Sequence, residues 1–123
     1  MSIDISALLG QTLKSFVVSD SETEVYFETT NGDRYAMYHE QECCEDVYLQ
    51  DVNGELSDLV GSPLIQAEES SENPTEGDFE SATWTFYKLA TIKGYVTLRW
   101  FGQSNGYYSE SVTIFKLRVG DRY

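Results

Sequence analysis

The segment HEQECCED, residues 39–46, gathers most of the reactive side-chain types of the chain into eight positions. It holds the only histidine, both cysteines and four acidic residues. Imidazole, thiolate and carboxylate groups are common metal ligands, and a thiol beside an imidazole can act as a nucleophile. The segment therefore raises three alternatives: a metal site, a catalytic Cys–His pair or an ordinary structural turn.

A metal site is weakly supported by the number of ligands. Structural zinc needs four nitrogen or sulfur ligands, and the chain supplies three, in His39, Cys43 and Cys44. Adjacent residues on a strand point to opposite faces, so both cysteines could share a metal only at a bend. We predict no metal and no cofactor. The candidate ligand-binding residues are His39, Cys44, Glu45 and Glu110.

A catalytic pair would need His39 and Cys44 to be neighbours across a pair of strands. No glycine-rich turn into a helix supplies an oxyanion hole nearby, and the surrounding acids disfavour a thiolate. A disulfide between Cys43 and Cys44 would be strained. We favour the structural interpretation, in which Cys43 faces the core by parity with Val47 and His39 is a polar strand end. The chain is predicted not to be an enzyme.

Two parts of the chain repeat a pattern that would position this segment. SALLGQTL (6–13) matches SDLVGSPL (57–64) at an offset of 51 residues, and each predicts a short helix ended by a glycine and followed by a strand. A predicted hairpin follows each of them, with the turns Asn31-Gly32 and Lys93-Gly94.

The final strands of the two copies also correspond. Glu45 aligns with Glu110, so two carboxylates could approach each other for acid–base work or cation binding, or serve as strand-edge acids with local hydrogen bonds. We predict a single domain, 1–123, with pseudo-repeats over 4–53 and 55–118. An acidic insertion predicts a loop at 68–80.

Alternating side chains indicate the class of fold. In YVTLRWF, Val96, Leu98 and Trp100 share one face, and Thr97 and Arg99 the other. Eight hairpin-linked strands and two short helices predict an α+β fold, mostly antiparallel, as a curved sheet or a half-open barrel. The last strand is apolar on both faces, which indicates a central position or a subunit contact and keeps a homo-oligomer open.

Charge is distributed unevenly along the chain. Residues 1–80 hold 19 acids and 2 bases, a net −17, whereas residues 81–123 hold 2 acids and 6 bases, a net +4. The acidic block repels phosphate, which argues against direct nucleic-acid binding, and it attracts a basic protein surface. Turn tyrosines are frequent recognition anchors. The predicted partner-binding residues are Glu40, Glu42, Asp46, Asp51, Glu68, Glu69, Glu72, Tyr107 and Tyr108.

The cellular location follows from what the sequence lacks. No apolar run approaches the ~20 residues of a membrane span, and the first ten residues lack the features of a secretory signal. Two adjacent cysteines do not form a disulfide framework. We expect a cytoplasmic protein without a membrane partner.

Two segments resemble an uncharacterised family of small proteins common in phages and prophages. They cover roughly residues 35–70 and 83–112, and their most specific strings are His-x-x-x-Cys-Cys-Glu and Ser-Asn-Gly-Tyr-Tyr-Ser-Glu. The resemblance implies a context rather than a site, because small acidic phage proteins often disarm a host nucleic-acid machine or defence system.

Three functions are consistent with these observations. The leading hypothesis is a non-enzymatic, anti-CRISPR-like inhibitor in the host cytoplasm, which presents acids to the basic groove of a host nuclease. The alternative is a small-ligand or metal-sequestering protein that uses the turn ends at His39, Glu45, Tyr108 and Glu110. The third is a cysteine enzyme.

Overall fold

The chain is built mainly from antiparallel β-strands. A computed structural model describes residues 2–73, 81–106 and 108–118. In these residues no helix is long and apolar enough to cross a membrane. The described ranges contain nine strands: β1 (Ser2–Ile3), β2 (Leu13–Val18), β3 (Glu24–Thr29), β4 (Arg34–Tyr38), β5 (Asp46–Asn53), β6 (Gln66–Glu72), β7 (Ser81–Thr91), β8 (Gly94–Ser104) and β9 (Thr113–Leu117).

The α+β prediction is wrong, because the described part of the chain contains no α-helix. The two predicted helices are single turns of 3₁₀ helix, Ile5–Leu8 and Leu56–Leu59. Gly10 and Gly61 follow them with φ angles of 86° and 90°, a left-handed conformation that a helix cannot continue. Four residues are too few to nucleate an α-helix, so the segments stay as turns.

The strands form two sheets, which corrects the predicted single curved sheet or half-open barrel. The first sheet has the order β1-β9-β4-β3-β2 and the second has the order β5-β8-β7-β6. All pairings between these neighbours are antiparallel. Hydrophobic residues from both sheets form one core cluster.

Each sheet contains a three-stranded meander joined by a strand from the other half of the chain, and β1 adds a fifth strand to the first sheet. β5 follows the β2-β3-β4 meander in the chain but lies in the second sheet, where it pairs with β8 and Leu49 is opposite Trp100. β9 leaves the β6-β7-β8 meander and pairs with β4, with Ile114 opposite Met37. The two halves thus have equivalent connectivity, while the proposed repeat bounds of 4–53 and 55–118 stay a prediction.

The two glycine turns contact each other reciprocally. The Gly10 N–H donates to the Leu64 carbonyl over 2.8 Å, and the Gly61 N–H donates to the Leu13 carbonyl over 2.9 Å. Gly61 and Leu64 are the counterparts of Gly10 and Leu13 at the offset of 51 residues, so each bond is the counterpart of the other. This reciprocity indicates a local two-fold relation where the meanders begin.

The alternation predicted for β8 is confirmed. Val96, Leu98 and Trp100 are at most 1% exposed, whereas Thr97 and Arg99 are half-buried on the other face. The last strand, β9, lies between β1 and β4, as its two apolar faces indicated.

The predicted acidic loop is partly wrong. Residues 68–72 belong to β6, which pairs along its whole length with β7. The remaining stretch, 74–80, lies outside the described residues, and Asn73 is described but lies beyond the strand. β6 is the outer strand of its sheet, so its serines and glutamates face solvent without burying charge.

Candidate functional site

The HEQECCED segment connects the two sheets. It begins after β4 of the first sheet and ends as β5 starts in the second. Its centre is the side chain of Glu45, which is fully buried. The carboxylate accepts hydrogen bonds from the backbone N–H groups of Glu42 and Cys43, both over 2.9 Å. The loop is therefore folded around its own glutamate.

The charge of Glu45 is stabilised by these donors. Burial alone raises the pKa of a carboxyl group. Hydrogen bonds from His39 and from the N–H groups of Cys43 and Glu42 outweigh burial and lower the pKa of Glu45 to about 2. Glu45 is consequently a carboxylate at neutral pH and acts as an acceptor only.

His39 joins this loop to the other half of the chain. Its side chain is 4% exposed, with Nε2 at 2.8 Å from the Glu45 carboxylate and Nδ1 at 2.6 Å from the Ser111 carbonyl. Both neighbours can act as hydrogen-bond acceptors, so the ring joins the Glu45 carboxylate to the Ser111 carbonyl. A catalytic site would need His39 beside Cys44, whereas the side chain that His39 bonds is Glu45.

The cysteines do not occupy the predicted positions. Cys43 and Cys44 are both exposed, so the expectation that Cys43 faces the core is wrong. Their sulfur atoms are joined in a disulfide between adjacent residues. A sulfur in a disulfide is neither a thiolate nucleophile nor a thiolate metal ligand. The arrangement thus contains no activated Cys–His pair.

Glu110 organises the corresponding connection before β9. It is 8% exposed and accepts hydrogen bonds from the hydroxyls of Thr83 and Ser104. Its backbone lies against Gly102 of β8, where an added Cβ would be 2.9 Å from the Glu110 Cβ. Within the described residues, Glu45 and Glu110 share no hydrogen-bond partner, so each carboxylate serves its own crossing segment.

The described residues include no group of three or more histidine, cysteine or acidic side chains placed to hold a metal ion. His39 and Glu45 are hydrogen-bonded to each other, and Glu45 also accepts N–H groups of the loop backbone. Of the four candidate ligand-binding residues, Glu110 lines an open hollow.

That hollow belongs to a groove where the two sheets diverge. One part, about 270 Å³, is lined by Glu69, Ser71, Thr83, Thr85 and residues 109–112. The adjoining part, about 330 Å³, shares Glu69 and Val112 with it and extends along β1 and β9 to Asp4 and Tyr87. Burial and a hydrogen bond to Glu69 raise the pKa of the Tyr87 phenol, which therefore stays protonated.

The predicted partner-binding acids fall into two separate groups. Glu40, Glu42, Asp46 and Asp51 lie on β5 or in the loop before it, whereas Glu68, Glu69 and Glu72 lie on β6. β5 and β6 are the two opposite edges of one four-stranded sheet, so about 14 Å separates them at ordinary strand spacing. Tyr108 is half-buried, and Tyr107 lies outside the described residues.

The groove residues are not evident as a site from the sequence alone. Thr83, Thr85 and Tyr87 alternate within TWTFY, so a strand there must present all three on one face. This alternation can be read from the sequence. Only the structure shows that these residues occupy the inner face of the strand, because Tyr87 is fully buried.

The fold and site together define a two-sheet antiparallel β-protein with buried glutamates at both sheet crossings. A family described as a domain of unknown function (DUF7448) matches residues 6–114, and the chain belongs to this family. No curated protein and no solved structure matches the chain. The predicted membership of an uncharacterised family is thereby confirmed at that level.

Proposed function

We propose that this protein is a non-catalytic binding protein that engages a basic surface on a partner protein. The binding surface is the acidic rim, which we define as Asp20, Glu22, Glu40, Glu42, Asp46 and Asp51. The observation that carries the proposal is the assembly of these acids, from three parts of the sequence, along one edge of the second sheet.

A backbone hydrogen bond holds the rim together. The Leu49 N–H of β5 donates to the Glu22 carbonyl over 2.7 Å, which fixes the β2–β3 turn against the edge of β5. Glu22 has a φ angle of 60°, which residues other than glycine seldom adopt. The turn that carries Asp20 and Glu22 is thus fixed at the edge of β5, the strand that carries Asp46 and Asp51.

The charges of the rim are available to a partner. All six residues are exposed, and the salt bridges between described residues use other acids: Glu28, Asp33 and Glu45. An unpaired acidic edge attracts a basic surface over distance and accelerates association. The net charge of −13 adds to this attraction.

The partner class in this proposal is a host protein with a basic nucleic-acid groove. The acidic rim would occupy the place of a phosphate backbone, as an anti-CRISPR-like inhibitor does, without contacting nucleic acid itself. Phage origin and a location in the host cytoplasm belong to the same proposal, and their support is the resemblance of residues 35–70 and 83–112 to phage proteins.

The experiment is a quantitative pull-down from a lysate of the host, compared between two matched triple variants. Glu40→Gln, Glu42→Gln and Asp46→Asn remove three rim charges, and Glu55→Gln, Glu68→Gln and Glu72→Gln remove three exposed charges elsewhere. We expect a nucleic-acid-binding protein to be recovered by the wild type and the control, and recovery to fall about tenfold or more with the rim variant.

The salt dependence of the same interaction is the second readout. Binding through exposed charges weakens as the Debye length falls from about 10 Å at 0.1 M salt to about 3 Å at 1 M. Equal losses for the two variants, salt-insensitive binding, or failure to recover any partner would each reject the proposal.

A further inference from the structure

The groove between the sheets has a floor of hydroxyl groups where a two-sheet protein usually has apolar side chains. Thr83, Thr85 and Tyr87 occupy successive inward positions of β7, about 6.8 Å apart at ordinary strand rise. Ser71 of β6 and the serines at 109 and 111 add further hydroxyls along the walls. The groove therefore offers a row of oxygen atoms to a ligand.

Thr85 is the clearest sign that this row faces a ligand. The residue is 6% exposed and lines the groove, yet its hydroxyl makes no hydrogen bond to any described residue. The hydroxyl oxygen opens into the groove, where solvent or a ligand can reach it. A bound molecule with an N–H or O–H donor can therefore bond Thr85 directly.

The charges of the groove select a cation. Asp4, Glu69 and Glu110 lie along it, and no lysine, arginine or histidine is among the described residues that line it. Glu110 accepts two hydroxyl hydrogen bonds, which leaves lone pairs of its carboxylate for another donor. An anionic ligand would be repelled by these three carboxylates.

The shape and composition favour an extended organic cation over a metal ion. The acids are spread along the groove rather than grouped as metal ligands in the described residues. Ile3, Val112 and Ile114 add aliphatic surface between the polar groups. Alternating oxygen acceptors and aliphatic contacts match a chain of ammonium groups separated by methylene units.

We propose that this groove binds a linear polyamine, with ammonium groups on Glu69 and Glu110 and one N–H donated to the Thr85 hydroxyl. This site is independent of the acidic rim, because none of the six rim residues lines the groove. Either proposal can fail while the other stands.

Titration calorimetry with spermidine at constant ionic strength tests the site. We expect one-to-one binding by the wild-type protein, weakened about tenfold by Glu69→Gln through the loss of one charge-assisted contact. The matched control is Glu68→Gln, which removes the same charge from the neighbouring residue on the outer face of β6. Equal weakening by both variants would mean a diffuse counterion effect and would overturn the proposal, as would absence of saturable binding.

Thr85→Val provides a readout that does not depend on charge. We expect it to weaken spermidine binding several-fold while leaving the stability of the free protein unchanged, since valine keeps the shape and removes a hydroxyl that bonds no described residue. Thr97→Val, on the outer face of β8, should leave binding unchanged. If Thr85→Val binds spermidine as tightly as wild type, or destabilises the free protein, the hydroxyl has no ligand role.

Discussion

At the scale of single residues, Glu45 and His39 form a buried hydrogen-bonded pair that holds a loop. The carboxylate receives backbone N–H groups from the same loop, and the imidazole reaches the Ser111 carbonyl of the other half. A buried carboxylate persists when its oxygens accept hydrogen bonds, and Glu45 meets that condition. The residues that first suggested chemistry therefore build the connection between the sheets.

The pH dependence of stability should reveal this carboxylate. Because its pKa of about 2 in the folded chain is below its usual 4.5, ionised Glu45 stabilises the fold above pH 4.5 and loses that contribution as pH falls towards 2. We expect Glu45→Gln to be less stable than wild type at pH 7, with a difference that shrinks between pH 4.5 and 2. Urea denaturation across this range measures it.

Glu40→Gln is the matched control, because Glu40 lies exposed in the same loop. This variant should follow the wild-type stability at each pH to within about 0.5 kcal/mol. A difference for Glu45→Gln that stays constant from pH 7 to pH 2 would contradict the assigned role.

At the scale of secondary-structure elements, the turn before β9 depends on a glycine in β8. Gly102 has Glu110 on one side and Val47 of β5 on the other, and a Cβ there would lie 2.9 Å from the Glu110 Cβ and 3.1 Å from its carbonyl oxygen. The strand thus omits a side chain so that the crossing segment can pack directly on its backbone.

Gly102→Ala should destabilise the protein by about 1–3 kcal/mol, because the added methyl group forces the Glu110 backbone away from β8. Thermal and urea unfolding would measure the loss. Gln103→Ala, the next residue of the same strand and half-buried, should change stability by no more than about 0.5 kcal/mol. Similar stability of Gly102→Ala and wild type would show that the contact can relax.

At the scale of the whole molecule, exchange of the last strands makes each half depend on the other. β4 pairs with β9, and among the described strands β5 pairs only with β8 of the other half. An isolated half would expose a sheet edge and the inner faces that form the shared core. The equivalent connectivity of the halves therefore does not make them independent units.

Fragments 1–54 and 55–123 test this dependence. We expect each to be unfolded alone by circular dichroism and amide NMR dispersion, and a one-to-one mixture to regain the spectrum of the intact chain. The intact protein, cut after Gly54 without separation of the fragments, is the control. Cooperative unfolding of either fragment alone would contradict the expectation.

Several features could be predicted from local sequence because their causes are local. Asn31-Gly32 lies in the turn between β3 and β4, where Gly32 has a φ angle of 95°. The alternation of Val96, Leu98 and Trp100 specified the buried face of β8. By contrast, the sequence did not predict β6, because glutamate and serine have little intrinsic preference for strands. Its strand conformation comes from pairing with β7.

The sequence by itself determined the antiparallel hairpins, the buried face of β8 and the correspondence of Glu45 with Glu110. Only the tertiary structure decided which sheet β5 and β9 join, that Cys43 and Cys44 face solvent, and that Thr85 lines a groove. The physical reason is the distance along the sequence over which each feature is determined. Turn conformation and alternation depend on neighbouring residues, whereas strand partners, burial and the donors around a carboxylate depend on segments that meet only after the chain has folded.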